Sequence, residues 1–164
     1  MTTATTTYPL IRDQWATTIQ ALVPAFLADR FQLFRERRDF REWAEENHGA
    51  CMRAFQITRV DDREVPPVTD GSTEQHDAEA ELVVAYPANL AEYWRGSARG
   101  ERPLQDLEDV LDADAEQLND AIGINGAASY LAGQSRCECV TTREYRGPVA
   151  FLVARLRVTF YRSV

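Results

Sequence analysis

The chain has 164 residues, 45% of them hydrophobic and 27% charged, which suits one domain of ordinary size and argues against a second full one. Folding at this length removes roughly 70% of the unfolded chain's surface from water, so stability demands neither disulfides nor a structural metal. A formal net charge of −8 disfavours a general nucleic-acid binder, because such binding draws on the neutralising of phosphates.

The first seven residues, Met1 to Thr7, are low in complexity and read as a flexible N-terminus, with one domain over 8–164. This start lacks the basic and apolar regions of a signal segment, and no apolar run approaches the ~20 residues needed to cross a bilayer. The expectation is a soluble, cytoplasmic protein. From Leu10 to Phe26, the residues Ile11, Trp15, Ile19, Leu22 and Phe26 recur every three or four positions and predict a helix, which Pro24 should kink or end. Residues 29–47 mix aromatics with charges; a short helix is predicted over Phe40 to Asn47, stopped by Gly49. The arginines of Arg30 to Arg41 make this the most basic stretch.

Cys51 to Val60 is rich in strand formers and predicts a first strand. Asp61 to Asp77 contains Pro66-Pro67 and Asp70-Gly71-Ser72 and reads as a long loop or arm. Alternation of Ala78, Ala80, Leu82, Val84 and Tyr86 with Glu79, Glu81, Val83 and Ala85 predicts a second strand. Ala88 to Pro103, with two glycines and three arginines, reads as a mobile loop. Within it Tyr93 and Trp94 admit two readings, local packing or an interface anchor. Leu104, Leu107, Leu111, Ala115, Leu118 and Ile122 keep helical spacing up to Gly123, with acids on the other face. Arg136 to Tyr145 and Val149 to Arg162 alternate around Gly147-Pro148 and predict a closing hairpin.

These elements predict an α+β fold: a mainly antiparallel four-stranded sheet packed on one face against two main helices, with extended loop arms. The other sheet face, through Val149, Phe151 and Val153, is apolar enough to suggest contact with another subunit.

Chemistry is sparse in this sequence. There is no phosphate-binding loop or dinucleotide fingerprint, since Gly123-Ile124-Asn125-Gly126 lacks both a lysine and a preceding strand. His48 and His76, the two histidines, lie in no recognisable motif. Three cysteines are an odd number and read as reduced. Cys137 and Cys139 share a strand face, and with Cys51 and His48 they offer four metal ligands; small buried apolar side chains are the favoured reading. Acid pairs such as Asp106 with Asp109, or Asp112 with Glu116, share helix faces but lack the enclosure a catalytic pair needs. No enzyme activity, cofactor or metal is expected. Charge is also polarised: residues 61–81 and 101–120 each carry a net −7, leaving +6 for the rest. In a ring of identical subunits such acidic segments would rim a passage that repels DNA.

The helix Ile11 to Phe26, the strands Ala54 to Val60 and Ala80 to Tyr86 flanking an acidic arm, the helix Leu104 to Ile122 and the hairpin ending Phe160-Tyr161-Arg162 together resemble the tail terminator (tail completion or neck) proteins of long-tailed phages and phage-derived particles. The resemblance is architectural and covers the chain from Tyr8 onward. It implies a hexameric ring, made in the host cytoplasm and built into the virion or tail-like particle. The ring would cap the head-proximal end of the tail tube, stop its polymerisation and offer a docking surface for the connector or a terminal cap. Implied partners are the tube protein, with sheath and connector or neck proteins beside it; DNA passes without specific binding, and no membrane is involved. On this reading Val65, Pro66, Pro67, Tyr93, Trp94 and Arg95 lie on arms that touch partners, and Asp106, Asp109, Asp112 and Glu116 face the lumen. Another head-tail joining protein fits the same composition. A small metal-binding domain on Cys137 and Cys139 is the alternative from a different class.

Overall fold

The computed structural model describes residues 8–65, 73–95, 106–122 and 136–163. The predicted N-terminal tail, Pro66-Pro67 and the Gly123 turn lie outside them.

Helix α1 spans Tyr8–Ala21 and turns Ile11, Trp15, Ala16 and Ile19 inward. It stops five residues short of the predicted end. Pro24 has no N–H for a helical bond and disfavours helical geometry at Val23, and the Arg30 guanidinium donates to the freed carbonyls of Ala21 and Leu22 at 3.4 and 3.3 Å. Helix α2 spans Phe40–Glu46 as the pattern predicts, capped by Asp39, whose carboxylate accepts from the Glu42 N–H at 2.8 Å. Helix α3, Leu90–Arg95, and helix α4, Leu107–Ile122, complete the helices of the described residues. At the start of α4, the Asp109 N–H donates to the Asp106 side chain at 3.0 Å and the Asp106 N–H to Asp109 at 3.2 Å, a reciprocal cap.

The sheet has five strands: β1 (Gln32–Leu33), β2 (Ala54–Val65), β3 (Thr73–Pro87), β4 (Arg136–Arg146) and β5 (Val149–Ser163), in the order β1-β2-β3-β5-β4. The fold is α+β with a mixed sheet. Four strands pair antiparallel, as expected, and the two-residue β1 adds a parallel edge beside Ala54 and Phe55. The stretch Asp61 to Asp77, expected as a loop, is paired strand at both its ends: Asp61–Val65 pairs with Gln75–Glu79 after one register shift between Arg59 and Asp61, and Thr73–Asp77 pairs with β5. Proline blocks only the residues it occupies, and the flanks keep their strand bonds. The expected loop from Ala88 likewise contains α3, whose first turn Asn89 caps by accepting from the Glu92 N–H at 3.0 Å.

One sheet face, with Phe55, Ala80, Leu82, Val84, Tyr86, Leu152, Ala154 and Leu156, packs on α1 and α4 to form the main core. The other face carries a second, smaller core in which α2 sets Phe40 and Ala44 on Val83, Ala85, Val149 and Phe151. Helices therefore lie on both faces, and Val149 and Phe151, expected to await another subunit, are covered by this chain's own α2. The 15-residue strands β3 and β5 run roughly 50 Å, about twice the ~24 Å of α4, so they extend past that helix.

Candidate functional site

Beyond α2, the second sheet face is open among the described residues. Glu81 of β3, Val140 and Thr142 of β4, and Val153, Arg155 and Arg157 of β5 line a shallow depression of about 580 Å³. The register explains its make-up: Thr142 lies opposite Val153 and Val140 opposite Arg155, while Glu81 lies on the other side of Arg155, so alternating positions of three strands face one way. Val140 is 64% exposed, unusual for a valine on a central part of a strand. Carboxylates and guanidinia share the surroundings. Glu79 accepts from Arg157 at 2.7 and 3.1 Å and lies 3.8 Å from Arg155.

Arg41 of α2 forms the boundary between the covered and open halves. Its Nε donates to Glu144 at 2.9 Å, its Nη2 to Glu81 at 3.2 Å, and its guanidinium lies 5.9 Å from the centre of the Phe151 ring. Burial weakens its hold on the proton, but the two carboxylates outweigh that, so Arg41 stays charged to higher pH than a free arginine. Phe34, Phe40 and Trp43 pack in an aromatic group behind it, with ring centres 4.8 to 6.0 Å apart. Among the described residues of this surface there is no nucleophile–base pair. Its chemistry suits docking: exposed valine, threonine and paired charges on a rigid sheet.

A second polar constellation lies inside the main core. Arg53 and Asp114 are both fully buried. Arg53 donates through Nε to Asp114 Oδ2 at 2.7 Å and through Nη2 to Oδ1 at 3.0 Å, while Tyr86 donates to the same Oδ2 at 2.6 Å. Its other N–H groups reach the carbonyls of Phe26, Leu27 and Asp29 at 2.6, 3.2 and 2.9 Å. All five guanidinium donors are thus used. Burial and the Asp114 carboxylate together raise the Tyr86 hydroxyl well above its usual range, so it remains a donor. Leu27 and Arg53 have left-handed backbones, φ 63° and 58°, a conformation that costs about 1–2 kcal/mol each and is offset by these bonds. The cluster joins the segment after α1, β2, β3 and α4. With no route to solvent, it is a structural anchor.

The structure scatters the residues singled out from sequence. Val65 ends β2, paired with Gln75, and is on a strand where a loop was expected. Pro66 and Pro67 lie outside the described residues, as do the side chains of Trp94 and Arg95. Tyr93 is half-buried against the main core and donates to Asp29 at 3.1 Å, so its ring packs within the chain instead of reaching out on an arm. Asp106, Asp109, Asp112 and Glu116 are exposed along α4; the first two form the cap, and Asp112 pairs with Arg143, which also binds Glu108. Glu108 also accepts from Tyr145, and that bond, with some desolvation, holds the Tyr145 proton more firmly than usual. Of the proposed metal ligands, Cys51 is buried beside α2, with its thiol toward the His48 carbonyl at 3.7 Å, and His48 is exposed with Nδ1 3.3 Å from the Glu45 carbonyl. The Cys137 and Cys139 side chains lie outside the described part, and among the described residues no three potential ligands gather.

Asp114 was missed among the acids assigned to the wet face of α4. Its signal was its position: it follows Leu111 by three and precedes Leu118 by four, on the apolar stripe. No protein-family model matches the chain, and no curated protein sequence matches it. Among the described residues, no helix is long and apolar enough to cross a membrane.

Proposed function

We propose that the chain is a structural assembly protein that closes a ring of identical subunits at the end of a phage or phage-like tail tube, stops the tube's growth and presents a docking surface to the connector or a terminal cap. The observation that carries this reading is the half of the second sheet face left open among the described residues, where Val140, Thr142 and Val153 lie among Arg155, Arg157, Glu79 and Glu81 on a platform of three paired strands. Such a surface suits protein contact: an apolar centre gives affinity and a mixed-charge surround gives register. The long β2–β3–β5 ladder supports the same reading, because it carries paired backbone past α4, as a surface that a neighbouring subunit would contact. The exposed acids of α4, Asp109, Asp112 and Glu116 among them, would keep DNA from adhering to a lumen. A ring of six would match a six-fold tube.

Image reconstruction of the native particle's tail end tests the reading. Density for this fold at the last ring of the tube is the expected result. Its absence from assembled tails, in particles that contain the rest of the tail, overturns it.

A further inference from the structure

The two edges of the sheet are treated differently. At one edge β1 covers Ala54 and Phe55, and the register break at Arg59/Asp61 followed by two aspartates interrupts what remains of β2. Such devices keep an edge from pairing with another chain. At the other edge β4 runs 11 residues with no proline, glycine or register break. Among the described residues, no other strand and no backbone group pairs with its outer side.

The hairpin fixes which groups point outward. Gly147 takes a left-handed φ of 55° ahead of Pro148 in a two-residue loop that closes the pair Arg146↔Val149. Closing pairs of such loops are hydrogen-bonded, so even-numbered residues of β4 turn their N–H and C=O toward β5. The odd-numbered ones, Cys137, Cys139, Thr141, Arg143 and Tyr145, turn theirs outward.

We propose that β4 pairs antiparallel with β4 of a second copy of this chain, across a two-fold axis through Val140, joining the two five-stranded sheets. Charge and the exposed valine together select this register, because an axis at Thr142 also sets opposite charges together, Glu138 with Arg146, but places Val140 beside Glu144. An axis at Thr141 would set Arg136 against Arg146 and Glu138 against Glu144, like against like at four places. An axis at Val140 sets Arg136 opposite Glu144 of the second copy twice, and brings the outward groups of Cys139 opposite Thr141 and of Cys137 opposite Arg143. It also sets Val140 against its own counterpart in a close, non-hydrogen-bonded pair, which covers the valine that the isolated chain leaves 64% exposed. The two depressions on the second faces then adjoin, since Val140 lines each. A two-fold contact is self-complementary, whereas a ring of more than two subunits uses head-to-tail contacts, so this pairing and the tail-end reading stand or fall separately.

Sedimentation across a concentration range, combined with cysteine cross-linking, tests the proposal on the full chain. The wild-type chain is expected to show a concentration-dependent dimer; a monomer at every concentration overturns the proposal. V140C should form an intermolecular disulfide under mild oxidation, because directly opposed non-hydrogen-bonded residues bring their Cα atoms to about 4.5 Å. T142C should not, because its counterpart would lie four residues along the strand, roughly 13 Å away. Wild-type Cys137 and Cys139 face other residues in this register and serve as the background. Equal linking of V140C and T142C, or none by V140C, overturns the register and the proposal with it. T141P removes an outward N–H without touching the ladder to β5, and R136E opposes Glu144 of the second copy. Each should weaken the dimer about tenfold or more with the circular dichroism spectrum kept. R136E carries the test should T141P unfold, and an unchanged dimer in R136E would count against the proposal.

Discussion

At the scale of single residues, the strongest commitments of the fold are the buried ones. Asp114 neutralises Arg53 and anchors Tyr86, so D114A leaves a guanidinium buried without its counter-charge. Removing one partner of such a pair costs about 3–5 kcal/mol, and urea unfolding followed by circular dichroism should show a loss of that size. Y86F removes only the hydroxyl bond to Asp114 and should cost about 1.5–3 kcal/mol in the same experiment. Cys51 offers a pH test. Burial pushes its thiol up to about 12 from the ordinary 9.0, so the unfolded chain loses that proton first as pH rises. The contribution is therefore fully present below pH 9 and declines between 9 and 12, and the buried Tyr86 adds a loss of the same sign above its ordinary 10. Unfolding free energy measured from pH 8 to 11 should fall, and C51A should flatten the part that begins near pH 9. In a chain carrying C137S and C139S, the folded state should also react with an aromatic disulfide reagent at pH 8 far more slowly than the urea-unfolded state.

At the scale of elements, the sequence was most readable where one period persisted. Ile11, Trp15 and Ile19 mark α1, Leu111 and Leu118 mark α4, and Ala78 through Tyr86 mark the buried part of β3, which starts five residues earlier and ends one residue later than the pattern predicts. Three features were hidden for physical reasons. Strand β1 is two residues long, too short to show a period, and exists because Gln32 and Phe34 donate to the carbonyls of Arg53 and Phe55 at 3.0 and 2.8 Å. The ladder at Asp61–Val65 is made of charged residues that carry no hydrophobic pattern; its strand bonds are supplied by β3, a non-local partner. Helix α3 has one cap and six residues, and it is held by Leu90 and Tyr93 packing on the core. Caps make a prediction at this scale. D106A removes the side-chain acceptor for the Asp109 N–H while keeping the backbone N–H that donates to Asp109, and should lower stability by about 1 kcal/mol, while D106N, which keeps an acceptor, should lose less. Thermal unfolding of the two variants side by side separates them.

At the scale of the whole molecule, the α+β class and the antiparallel core were legible, because each follows from which residues alternate and which recur every third or fourth place. The division of the second sheet face was not. Val149, Phe151 and Val153 read alike in sequence, yet α2 covers the first two and leaves Val153 at the margin of an open surface. Which half stays open depends on where a seven-residue helix lands after a turn of the chain, and Arg41 fixes that landing through Glu81 and Glu144 on two different strands. The open half is therefore where a change can separate folding from assembly. Arg155 is exposed, and the Glu79 carboxylate lies 3.8 Å away, at the limit of an ion pair. Exposed substitutions of this kind change stability by no more than about 0.5 kcal/mol. R155E should accordingly fold like the wild type in a urea titration, yet it reverses a charge in the surround of the docking surface. If that surface closes a ring on a tail tube, particles assembled with R155E as the only source of this chain should carry uncapped tubes of uneven, extended length in electron micrographs, with the protein missing from their ends. Tubes of normal length with R155E in place would remove the open sheet face from the contact.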